Sequence, residues 1–77
     1  MRVKDYIEKL RKCDNNIYLM HRYLFLQLQR IRNLDADTRE NELVVFESLF
    51  DTISIPTIEV VFFKRQIEEI RNKKCES

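Results

Sequence analysis

Few side chains in this sequence are of types that do covalent or metal chemistry, and their spacing does not assemble them. His21 is the one histidine, flanked by Arg22, with no Ser or Cys placed to pair with it as nucleophile and base. It reads as a surface or interface histidine. A structural zinc needs about four Cys or His ligands, and Cys13, His21 and Cys75 form no close-spaced ligand pair. No metal, no cofactor and no catalysis are expected. Cys13 falls on an apolar helix face and reads as a small buried hydrophobe, with redox sensing as the alternative. Cys75 sits in a polar stretch, exposed and open to oxidation.

The chemistry these residue types do support is ionic. Glu40, Val44, Glu47 and Asp51 recur at helical spacing and form an acidic row with one apolar member. No basic residue stands four positions after any of its acids, and like charges so placed cost a few tenths of a kcal/mol per pair. A partner bringing Arg or Lys would relieve that repulsion, and Asp51, at the end of the row, could accept a bidentate Arg. The plainer alternative is an ordinary solvent-facing side. A second set, Lys9, Arg11 and Lys12 with Arg2 and Lys4 nearby, suits phosphate contacts, which salt releases and which carry no base-sequence information. A solvated face is again the plainer alternative, because no helix-turn-helix with a polar reading helix is recognisable.

The elements that must position these rows follow from composition. At 77 residues, with 44% apolar and 35% charged residues, the chain reads as one small globular domain. A chain of this size buries only about 60% of its unfolded surface and is marginal unless it associates. It has no Gly, one Pro and no Trp. Without Gly, phosphate loops, dinucleotide turns and tight hairpins are disfavoured, and an all-helical fold follows. Two cysteines are too few for a disulfide framework, no apolar run precedes a cleavage site, and no segment approaches the ~20 apolar residues that span a bilayer. A cytoplasmic protein with reduced thiols and no membrane partner is expected.

Net charge is +1, but it is unevenly laid out. Residues 1–34 hold eight Lys or Arg against three acids, residues 35–63 seven acids against Arg39 alone, and residues 64–77 five basic against three acidic. Such blocks either complement one another between packed helices or present separate faces to two partners.

Periodicity predicts an all-α bundle of three to four helices over about 2–13, 15–34, 38–53 and 56–72, with 73–77 a polar tail. Val3, Tyr6, Ile7, Leu10 and Cys13 form the inner face of the first helix. Asp14, Asn15 and Asn16 favour a break, with Asp14 as N-cap of the second helix. Apolar residues nevertheless keep a heptad phase across it, so one helix of about 30 residues is the alternative. From Ile17 to Leu34 the second helix is apolar around much of its circumference, more than a small bundle can cover, and part of it should meet another chain. Asp37 with Glu40 has the spacing of a capping box. In the third helix Leu43, Phe46, Leu49, Phe50 and Ile53 share one face that must be buried, and the chain is organised around it. Ser54-Ile55-Pro56 ends that helix, and the fourth buries Val60, Phe63, Ile67 and Ile70.

Two blocks resemble a known family. Asp5 to Cys13, D-Y-I-E-K-L-R-K-C, is similar to the first helix of the Hha/YmoA modulators, D-Y-L-x-R-L-R-K-C; Glu42 to Asp51, E-L-V-V-F-E-S-L-F-D, is similar to their third, E-L-x-x-F-Y-S-A-A-D. Between the blocks this chain has about eight more residues than the family, roughly two helical turns. It also keeps the Asp but not the His-Arg that follows it in the family, and the family's C-terminal segment is not recognisable. The resemblance implies a non-enzymatic modulator of transcription in the bacterial nucleoid. Such a protein would bind the N-terminal dimerisation domain of an H-NS-like protein and strengthen silencing. The family's acidic contact falls on Asp51 and its DNA-facing basic residues on Lys9, Arg11 and Lys12; Glu40, Val44 and Glu47 join by helix geometry. Two other functions fit the residues: a helical subunit dimerising through its second helix, and a direct non-specific DNA binder.

Overall fold

Four α-helices follow one another in the computed structural model, which describes residues 2–73, Lys73 by its backbone alone. They are α1 (Val3–Arg11), α2 (Ile17–Arg32), α3 (Ala36–Leu49) and α4 (Thr57–Lys73). The expected small all-α bundle is the fold. Cys75 and the expected tail beyond Lys73 lie outside the described residues.

Polar residues set the helix ends, in two places not the ones expected. Between α1 and α2 the backbone turns left-handed at two successive residues, Asp14 (φ 52°) and Asn15 (φ 59°). In a chain without Gly, Asp and Asn are the residues that enter this region at least cost. The single long helix is thereby excluded. Asp14 is not the N-cap; Asn16 is, its Oδ1 accepting from the backbone N–H groups of Tyr18 (3.0 Å) and Leu19 (3.2 Å). The third helix likewise starts earlier than the Asp37 capping box implied. Asp35 is its N-cap, Oδ2 accepting from Thr38 N–H at 3.5 Å, and hydrogen bonding from Thr38 holds that carboxyl below its usual range. Asp37 instead lies in the first turn, where the helix dipole favours a negative charge.

α3 also stops four residues short of Ile53. Ser48 donates its hydroxyl back to Val45 O (2.8 Å), and Thr52 to Ser48 O (3.4 Å). Such back-bonding competes with the helical ladder. The backbone then tightens into turns, Phe50 N–H to Glu47 O (3.2 Å) and Asp51 N–H to Ser48 O (3.1 Å). Pro56, which cannot extend α3, stands just before α4, its carbonyl accepting from Glu59 N–H (3.0 Å) and Val60 N–H (3.3 Å).

α3 packs against each of the other three helices, as expected of the element around which the chain is organised. Its Leu43, Phe46 and Leu49, with Phe50 just beyond, are buried against Tyr6 and Leu10 of α1, Leu24, Leu28 and Ile31 of α2, and Phe63, Ile67 and Ile70 of α4. Aromatic rings bind the layers together: Phe46 lies 5.6 Å from Tyr6 and 5.4 Å from Phe50 in edge-on geometry, and Phe50 stacks on Phe63 at 5.6 Å. Val3, Ile7, Ile53 and Val60, expected inside, pack on this core only half-buried. Cys13 is also half-buried rather than inside, because the chain has left α1 before it; its thiol donates to Lys9 O at 3.6 Å. The resulting body is elongated, 40 × 23 × 19 Å.

Candidate functional site

The acidic row of α3 is met from within the chain. Arg71, near the end of α4, donates Nε to Glu40 Oε1 at 3.2 Å and an η nitrogen to Glu47 Oε1 at 3.3 Å. One guanidinium bridges two carboxylates almost two turns apart on α3, and the repulsion that called for a partner's cation is offset by the protein itself. Because α3 ends at Leu49, Asp51 stands in the following turn rather than on the helix edge. It is exposed, and no ion pair reaches it among the described residues. Val44, between the two bridged glutamates, is 54% exposed.

The basic residues of α1 are exposed but dispersed. Lys9 and Arg11 are two positions apart, hence about 160° apart around the helix axis, and Lys12 follows in the C-cap. Glu8 lies three and four residues before Arg11 and Lys12, on their side of the helix, and dilutes the positive field. Lys9 and Arg11 in the last turn also complement the helix dipole, which is sufficient reason for basic residues there.

Two polar clusters join residues far apart in sequence. Tyr6 Oη donates to Glu42 Oε2 (3.4 Å) and accepts from an Arg30 η nitrogen (3.2 Å), which also reaches Glu42 (3.5 Å). Burial, with the Glu42 charge beside it, pushes the Tyr6 phenol up to about 12. Burial works to raise the Glu42 carboxyl as well, but the positive charge around it, Arg30 included, outweighs this and holds it low. On the other side of the bundle His21 Nδ1 lies 2.7 Å from Glu59 Oε2, tying α2 to the start of α4. These clusters brace helices; among the described residues no group of three or more His, Cys, Asp and Glu is placed to hold a metal ion.

A further feature left open is apolar. On α2, Tyr18 (85% exposed), Leu19, Phe25 and Leu26 (55%) face outward, and on α4 Ile58 (78%), Val61 and Phe62 do the same. The His21 ring joins the two helices, 6.3 Å from Phe25 in a stacked arrangement and 5.3 Å from Phe62. A cleft beneath is walled by Ile17, Met20, Leu24 and Phe63 under the His21–Glu59 pair. The excess of apolar surface on the second helix was visible from its composition; the contribution of α4 was not expected. Its signal is the run from Ile58 to Phe63, apolar at every position except Glu59 and so too continuous for one buried stripe.

No family model, curated protein or solved structure matches this chain. No helix among the described residues is long and apolar enough to cross a membrane.

Proposed function

We propose that this chain is a non-enzymatic helical module that works by binding another protein through the apolar strip on α2 and α4. The observation that carries this is the outward placement of Tyr18, Leu19, Phe25 and Leu26 on α2 and of Ile58 and Phe62 on α4, with the His21 ring joining Phe25 to Phe62. Scattered surface hydrophobes need no explanation, but a contiguous strip across two helices marks an interaction surface. Tyr and Arg, both present on the α2 part of the strip as Tyr18 and Arg22, are among the residues that supply most of the binding energy where proteins meet.

A second reading is kept because one residue favours it. Asp51 is exposed in the turn after α3, without an ion pair among the described residues, at the position where the Hha/YmoA resemblance puts the contact with an H-NS-like protein. In that reading the chain is a transcription modulator docked by Asp51 and Val44, with Lys9, Arg11 and Lys12 turned to DNA and silencing enhanced. Glu40 and Glu47 would contribute less than the row suggested, since Arg71 already occupies them.

One experiment separates the two. The tagged chain, its Leu26→Asp variant and its Asp51→Lys variant are used to retain proteins from a bacterial lysate, with circular dichroism checking each fold. Loss of the retained protein with Leu26→Asp alone supports the strip. Loss with Asp51→Lys alone, the protein being H-NS-like, supports the second reading. Retention unchanged in both variants overturns both.

A further inference from the structure

Resting on the strip as a protein-binding face, we infer the chemistry of what covers it: an amphipathic helix whose apolar side is rimmed by carboxylates, one of them meeting Arg22. Arg22 is exposed on α2 and has no ion-pair or hydrogen-bond partner among the described residues. It sits four and three residues after Tyr18 and Leu19, and three and four before Phe25 and Leu26. On a helix these are the adjacent positions, so one cation is ringed by four outward apolar side chains. Whatever covers the ring removes the guanidinium from water. An unpaired buried charge is strongly unfavourable, whereas a carboxylate presented to the Arg fork makes a short, strong bidentate contact.

Within the α2 stretch from Tyr18 to Leu26, Arg22 is the one Lys or Arg, and no acid stands three or four positions from it. On α4 Arg65 follows Phe62 by three residues, but Glu69 stands four further on, at the spacing that offsets it. Glu59 is turned to His21 at 2.7 Å, Arg30 to Glu42 at 3.5 Å, and Arg32 donates to Gln66 at 3.5 Å.

A second copy of the chain is the poorer occupant. A two-fold interface puts the same patch on both sides; α2 has no acidic residue to offer, and Glu59, the acid between Ile58 and Phe62 on α4, is already turned to His21. Pairing α2 with α2 would bury two guanidinium groups without a carboxylate. A lipid surface is also the poorer fit, since helices that lie on membranes carry many Lys and Arg on their polar face and the α2 stretch from Tyr18 to Leu26 carries Arg22 alone. The length suits a helix laid in a groove: Tyr18 to Leu26 spans about 12 Å, room for anchors at i, i+3 or i+4, and i+7.

The test uses two labelled synthetic amphipathic helices with identical Leu and Phe faces, one rimmed with Glu and the other with Lys, titrated with the full chain and followed by fluorescence anisotropy. The Glu-rimmed helix is expected to bind at least about tenfold tighter. Arg22→Gln should erase that preference and Arg22→Glu reverse it, with circular dichroism unchanged; a misfolded chain would lose both peptides and cannot reverse an order. Equal binding of both helices, or a preference untouched by Arg22→Glu, overturns the acidic rim while the protein-binding strip stands. Binding of neither helix, whether the strip is taken instead by phosphatidylglycerol vesicles or by a dimer seen in sedimentation, overturns both.

Discussion

With its guanidinium between Glu40 and Glu47, Arg71 turns a row of repelling acids into a clamp between α3 and α4. The groups are about a third exposed, so the clamp's worth is that of a partly screened pair. Arg71→Ala should cost about 1 kcal/mol in urea unfolding at low salt, with the difference shrinking at high salt. Tyr6 makes the second residue-level prediction. Its folded phenol ionises near pH 12 against an ordinary 10.0, so its contribution to stability is intact below pH 10 and lost as pH rises from there to about 12. Unfolding midpoints should fall across that window in the wild type and fall less in Tyr6→Phe. Neither partner set was legible in the sequence. Arg71 lies 31 residues from Glu40 and Arg30 lies 24 from Tyr6, and only packed helices bring them together.

At the scale of elements, helices were easier to read than their ends. Leu43, Phe46, Leu49 and Phe50 share one face at three- and four-residue steps, and only burial explains such a face, so α3 was legible as the centre of the fold. Helix starts were not, because cap-forming residues come in clusters. Asp14, Asn15 and Asn16 all suit an N-cap, as do Asp35 and Asp37, and the choice falls to whichever side chain reaches the first free N–H groups. Two substitutions test the α1–α2 joint. Asn16→Ala removes both cap hydrogen bonds and should lower stability by about 1 kcal/mol in chemical denaturation. Asn15→Val forces a β-branched residue to φ 59° and should cost about 1–2 kcal/mol, whereas Asn15→Gly should be tolerated.

For the whole molecule, the balance of inside and outside matters most. Among the described residues, a body of 40 × 23 × 19 Å fills its core with twelve apolar side chains yet leaves a strip across α2 and α4 uncovered. The part on α2 was legible, because a helix apolar around most of its girth cannot be covered in so small a bundle. The part on α4 needed the fold, which shows that Phe62 meets His21 of α2 and that Ile58 faces outward instead of into the core. Because Leu26 is 55% exposed, Leu26→Asp should change the melting temperature little while abolishing partner binding. Isotope-labelled full chain titrated with the Glu-rimmed helix, and followed by backbone amide chemical shifts, tests the central claim most directly. Perturbations gathered on Tyr18, Arg22, Phe25, Leu26, Ile58 and Phe62 are the predicted result; shifts confined to Val44 and Asp51, or absent, would contradict it.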